Sequence, residues 1–122
     1  MLLPKAYRLK RKSDFKKAYQ QGKSIANQYL VLYVLPQSPQ AGLAHKASKS
    51  LRVGFSVSKK VGCAVERNKI KRRLREAFRP YLGLIEAKVD LIFIARAKIK
   101  GVSFAVVEKS MAQLLKKARL ID

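Results

Sequence analysis

Residues 51–58 read LRVGFSVS, and by residue 64 the apolar spacing has changed from every second position to the three-and-four spacing of a helix. That switch constrains the fold more than any other feature of the chain. Alternation places Leu51, Val53, Phe55 and Val57 on one side of a strand and Arg52, Gly54, Ser56 and Ser58 on the other. One face of this strand is therefore buried, and the other can meet a ligand. Over 64–79, a turn of about 100° per residue gathers Ile70, Leu74, Ala77, Phe78 and Tyr81 into one arc, which must face a core. Pro80 closes the helix, because the residue before a proline avoids helical geometry.

The flanking segments complete the layers. The first ten residues are basic and aperiodic and are expected to form a loose arm. Ser13 and Asp14 mark a helix start and Gly22 a stop, with Phe15, Ala18 and Tyr19 on one face between them. Residues 29–35, YLVLYVL, have strand composition with both faces covered: Tyr29, Val31, Tyr33 and Leu35 on one side, Leu30, Leu32 and Val34 on the other. Residues 36–50, which carry Pro36, Pro39, Gly42 and His45, read as a surface loop and not a domain boundary. Residues 89–95, VDLIFIA, predict a central strand. Ser103 can cap a last helix whose Val107, Met111, Leu114, Leu115 and Ala118 form one stripe. The order is helix, strand, strand, helix, strand, helix: a single α/β domain over residues 1–122, long enough to bury its own core.

Charge narrows the partner. The chain holds 28 Lys+Arg against 7 Asp+Glu, a formal net charge of +21, and a domain this small repels itself unless something anionic lies against it. The single cysteine, Cys63, rules out an internal disulfide and suits a reducing cytosol. The first residues lack the apolar core of a secretory signal. The longest apolar run, Tyr29 to Leu35, is far short of the ~20 residues that span a bilayer. A soluble, cytoplasmic protein is expected.

Opposite the apolar arc of the 64–79 helix, Asn68, Arg72, Arg75 and Arg79 share a stripe, with Lys71 between the arcs and Lys69 on the other flank. Arg67 falls at the apolar edge in the first turn, where a long side chain can swing outward. Clustered arginines repel one another in isolation and are stabilised by phosphates, whose oxygens their planar forks bind in pairs. Lys59, Lys60 and Gly62 precede the helix, so N–H groups at its start could add an anion site. The acids (Asp14, Glu66, Glu76, Glu86, Asp90, Glu108 and Asp122) are scattered, and His45 lies alone in a loop. There is no metal-ligand spacing and no glycine-rich phosphate loop. Cys63 has no histidine nearby in sequence, so it is read as buried or incidental, not as a nucleophile.

The segment RVGFSVSKKVGCAVERNKIKRRLREAFR resembles the signature of the ribonuclease P protein family: a strand ending in Ser-x-Ser-Lys-Lys, a short loop, then a helix opening with Arg-Asn-Arg-x-Lys-Arg-x-x-Arg-Glu. Arg67, Asn68, Lys71, Arg72, Arg75 and Glu76 match it. Flanking agreement runs from Arg8-Leu9-Lys10, Asp14-Phe15 and Gly22 through Val31-Leu32-Tyr33 to Ala95-Arg96 and the leucine-rich last helix. Lys69 departs from the pattern, keeping the charge and losing the fork, and the 36–50 loop is longer than expected for the family.

The resemblance implies a two-layer α/β (α+β) sandwich, a small mixed sheet of about four strands packed by three helices, with a left-handed crossover in place of the usual right-handed one. It also implies function. The chain would be the protein subunit of a ribonucleoprotein whose catalytic RNA subunit removes the 5′ leader of precursor tRNA. It would carry no catalytic residue, and Mg²⁺ would be used through the RNA, with no cofactor or metal held by the protein alone. RNA binding falls to Lys59, Lys60, Arg67, Asn68, Lys69, Lys71, Arg72, Arg75 and Arg79. A cleft for the leader falls to Phe15, Tyr19 and Tyr33, joined by Arg52 and Ser56 on the open strand face. A ribosomal or assembly protein that clamps structured RNA without catalysis would share the charge and the build. Double-stranded DNA fits less well, because the dense phosphate-type stripe leaves few side chains to read bases. A membrane surface would need the apolar arc that the core requires.

Overall fold

In the computed structural model, which describes residues 7–9, 11–37, 51–85 and 87–122, helix α1 (Lys12–Gln21) leads into strands β1 (Lys23–Ala26) and β2 (Leu30–Pro36). Strand β3 (Arg52–Ser56), helix α2 (Ala64–Phe78), strand β4 (Val89–Ala95) and helix α3 (Phe104–Lys117) follow, with short 3-10 turns at Arg79–Tyr81 and Ala97–Ile99. The sheet order is β1-β2-β4-β3. β2 pairs antiparallel with β1 on one side and with β4 on the other, and β3 lies parallel to β4 with α2 in the connection, the crossover whose left hand the resemblance implies.

Register assigns the faces. Tyr33, Ile92 and Gly54 form one cross-strand row, Leu35, Asp90 and Arg52 the row on one side of it, and Val31, Ile94 and Ser56 the row on the other. The opposite face carries Leu30, Leu32, Val53, Leu91 and Phe93, which pack with Leu74 and Phe78 of α2 and Met111, Leu114 and Leu115 of α3 into the main core. Phe93 stands at its centre, 5.7 Å from the Phe78 ring and 6.0 Å from the Phe55 ring. Each fully buried side chain of this size contributes about 1.5–3 kcal/mol, so this core holds the sheet and the two long helices as one body. β4 is central, as its unbroken apolar run predicts. Ser103 caps α3, its Oγ accepting the Val106 N–H at 3.3 Å.

Four expectations change. β1 was not anticipated: KSIA is a short edge strand with three exposed residues, too little for a period to show. Tyr29 does not share the strand face of Tyr33, because it precedes β2 and packs against the main core. Residues 7–9 are not loose. Leu9 is 5% exposed, and its N–H donates to the Val53 carbonyl at 3.0 Å on the outer edge of β3. Finally, α1 begins at Lys12, with Arg11 as an N-cap that makes no side-chain capping bond, and not at Ser13-Asp14. Gly22 does close α1, for a steric reason: a Cβ there would lie 2.5 Å from the Ala18 carbonyl oxygen. Most of the basic arm, and most of the 36–50 loop with His45, lies outside the described residues.

Candidate nucleic-acid interface

The sheet face opposite the main core is covered at one end. There Leu9, Ala18, Leu35 and Ile92 form a second small cluster, with Phe15, Tyr33 and Ile94 against it. Phe15 lies directly on Gly54. One turn further along α1, Tyr19 is 39% exposed, and its ring meets Tyr33 edge-on at 5.1 Å and Phe15 at 6.2 Å. Burial pushes the Tyr19 phenol above its ordinary 10.0, against the opposing effect of a hydrogen bond with Ser56. The next row, Val31, Ile94 and Ser56, is half-buried. Phe15, Tyr19 and Tyr33 thus form a partly exposed aromatic row over this end of the sheet face, an aromatic trough with Ser56 beside Tyr19. The trough brings together Phe15, Tyr19, Tyr33 and Ser56.

Arg52 stands at the covered end of that face, fully engaged. Its Nη2 and Nε donate to the two oxygens of Asp90 at 2.7 and 2.9 Å, and its Nη1 reaches Asp14 of α1 at 3.5 Å. Asp90 is 5% exposed and also accepts from Gln37 Nε2 at 3.1 Å. Nothing in the sequence singled out Asp90, whose partner lies 38 residues away.

Beyond β3 the chain turns through Lys59 and Lys60, both exposed, while buried Val61 pins the turn with its N–H on the Ser58 carbonyl at 3.0 Å. α2 then buries Ile70, Leu74, Ala77 and Phe78, as its spacing requires. On the other side Asn68, Lys69 and Arg72 are exposed, and Arg67, Lys71, Arg75 and Arg79 are half-buried. Arg67 is not swung clear of the surface, since its Nε is enclosed without a hydrogen-bond partner. Glu76, four residues past Arg72, and Arg79 both make contacts within the molecule. The charge that faces solvent most openly is therefore on Arg72, Lys69 and the Lys59–Lys60 turn.

The expected anion site at the start of α2 is occupied by the chain's own carboxylate. Glu66 folds back to accept the Cys63 N–H at 3.3 Å, and Lys100 Nζ lies 3.3 Å from its other oxygen. The Cys63 N–H, then Lys100, hold the Glu66 carboxyl below its ordinary value. Gly62 leaves room for this, as a Cβ there would sit 2.8 Å from Glu66 Oε1. Cys63 is exposed at the N-cap, not buried.

Two framework residues escaped sequence reasoning. Arg73 donates to the Val102 carbonyl at 2.9 Å, tying α2 to the start of α3. Asn27 donates to the Ser110 carbonyl and to Gln113 Oε1, both at 3.0 Å, and accepts from the Tyr29 and Leu30 N–H groups, which fixes the β1–β2 turn on α3. Among the described residues no three His, Cys, Asp or Glu side chains gather to hold a metal ion, and no helix is long and apolar enough to cross a membrane.

Comparison with known proteins gives one consistent result. The family model described as ribonuclease P matches residues 3–119. The ribonuclease P protein component of Staphylococcus aureus is 41% identical over 122 residues, covering 100% of this chain and 97% of the relative. That of Caldanaerobacter subterraneus subsp. tengcongensis is 37% identical over 118 residues, covering 97% and 94%. The solved RNase P protein of Staphylococcus aureus superposes with a TM-score of 0.82 at 39% identity, over 97% of this chain and 100% of that one. The Thermotoga maritima protein gives a TM-score of 0.75 at 32% identity, over 90% and 96%.

Proposed function

The chain belongs to the ribonuclease P protein family, and from that premise we propose that, as the protein subunit of this endoribonuclease, it binds the catalytic RNA through α2 and the 5′ leader of precursor tRNA through the aromatic trough. One observation carries the reading. Tyr19, paired with Tyr33, hydrogen-bonds Ser56 at the end of β3, and the Lys59–Lys60 turn and then α2 follow directly from that same end. A single strand stacked in the trough is thus continuous with a surface suited to folded RNA.

In this reading Asn68, Lys69, Arg72 and Arg75, flanked by Arg67, Lys71 and Arg79, meet phosphates of the RNA subunit, and Lys59 and Lys60 extend that contact toward the trough. Unpaired leader bases stack on Tyr19 and Tyr33 beside Phe15, a mode that tolerates any base because every base has a π-face. Ser56 offers a hydroxyl beside Tyr19, and Arg52, occupied by two carboxylates, braces the wall and leaves phosphates to other residues. Hydrolysis belongs to the RNA and the Mg²⁺ it uses. The protein adds affinity and orientation, and it works in the cytoplasm.

The test is the reconstituted ribonucleoprotein titrated with precursor tRNA and with mature tRNA. A lost stacking contact costs about 1–3 kcal/mol, so Tyr33→Ala should weaken precursor binding roughly five- to a hundredfold and leave mature tRNA unchanged. Equal losses for both substrates, or a large fall in melting temperature, would return Tyr33 to a purely structural role.

A further inference from the structure

α1 is weakly held for an element that forms one wall of a binding trough. It has ten residues, its only buried side chain is Ala18, and its N-cap, Arg11, makes no side-chain capping bond. A helix this short is marginal by itself, so its position has to come from contacts with the sheet. One of these is ionic and reaches through three elements. Asp90 on β4 is buried and held by Gln37 and by both Nε and Nη2 of Arg52 on β3. That pairing fixes the plane of the guanidinium and aims Nη1 at Asp14, in the first turn of α1. The next residue, Phe15, is the one that rests on Gly54, and Tyr19 follows one turn later against Tyr33.

We propose that Asp14 is a positioning residue for the leader: through Arg52 and Asp90 it fixes α1 on the sheet and so sets the spacing of Phe15 and Tyr19 from Tyr33. The inference rests on the trough being the leader site. The planar fork matters to it, because a lysine at position 52 carries its charge on one nitrogen and has no rigid plane from which two donors hold Asp90 while a third is aimed at Asp14. Asp14 touches no substrate in this scheme and acts only through the geometry of α1.

Asp14→Asn removes the last link and leaves the Arg52–Asp90 pair intact, so the fold is kept. With the side chains of the Asp14–Arg52 pair about a quarter exposed (24% and 23%), the loss expected is about two- to fivefold in affinity for leader-bearing precursor tRNA. Binding of the RNA subunit and of mature tRNA should stay at the parent level, and Asp14→Glu, which keeps the charge, should restore most of the loss. Arg52→Lys should give a similar loss, and the double variant no more than either single one, since both cut the same link. In the free protein, the NMR contact between the Tyr19 and Tyr33 rings should weaken in Asp14→Asn and return in Asp14→Glu. Losses that add in the double variant would show that Asp14 acts separately, through the helix dipole, and overturn the proposal. So would parent-level leader binding in Asp14→Asn while Tyr33→Ala still loses it, an outcome that spares the trough. If Tyr33→Ala also binds leader normally, the leader reading fails and this inference goes with it.

Discussion

Gly54→Ala probes the contact between α1 and the sheet from below. A Cβ at position 54 would lie 2.6 Å from Phe15 Cζ, 3.1 Å from its Cε1 and 3.3 Å from Leu9 Cβ. Carbon atoms rest about 3.5–4.0 Å apart, so the ring must retreat by about 1 Å and draw α1 with it. Overpacking of this kind costs about 1–3 kcal/mol, and replacing a strand glycine by alanine recovers about 0.5–1 kcal/mol. The net loss therefore lies within about 0–2.5 kcal/mol and is centred on about 1 kcal/mol, which is a fall of roughly 3–6 °C in melting temperature for a domain of this size. Thermal melts and denaturant titrations of the variant give the first number. The same substitution made in a Phe15→Leu background gives the second, because the shorter side chain leaves room for the new methyl. Destabilisation should largely vanish there. Leader-dependent binding by Gly54→Ala should fall as well, since Tyr19 moves with the ring below it. A melting temperature above the parent's, or an equal loss in the Phe15→Leu background, would refute the steric argument.

Two further outcomes are expected. Arg72→Ala and Arg75→Ala should weaken binding to the RNA subunit and lower the magnitude of its salt slope by about 0.7–0.9 for each lost phosphate contact, with unchanged circular dichroism; an unchanged slope in the double variant would mark a solvated face. The support that Glu66 gives the start of α2 should be complete above the ordinary carboxyl value of 4.5 and lost as the pH falls through its lowered folded-state value, so the Cys63 amide resonance should titrate there in the parent and not in Glu66→Gln.

Periodicity made β2, β3, β4, α2 and α3 legible, because each buries a full face and the spacing of apolar residues records it. β1 left no such record: it is four residues long, and its position comes from pairing with β2 and from Asn27, whose partner Ser110 is 83 residues away. Leu9 escaped for the same reason, being a lone apolar side chain in a basic run that finds its place on β3. In the site, Tyr19 and Tyr33 come together because the helix and strand faces they occupy were both readable. Tyr29 parts from them because β2 begins one residue later, where alternation no longer governs direction. The role of Arg52 was the hardest to anticipate. Its place on the open face was clear from alternation, but only the fold brings Asp14 and Asp90 to either side of it, so that a residue expected to line the leader cleft is bonded to two carboxylates.

The sheet order carries a consequence for how the molecule comes into being. β4 is the last strand in the chain and the one that bonds to both β2 and β3. A ribosome working from the N-terminus therefore releases α1, β1, β2, β3 and all of α2 before the strand that unites them exists. Until residue 89 emerges, β3 has no neighbour on its inner edge, Gly54 has no sheet around it, and Tyr19 has no trough to wall. α2 is then a strongly cationic segment with a bare apolar side, next to an unpaired strand edge. Long-range parallel pairing forms slowly compared with local structure, so this interval is the vulnerable part of the protein's life. The proposed leader trough can be completed only in the final third of synthesis, once β4 is available to pair with both β2 and β3.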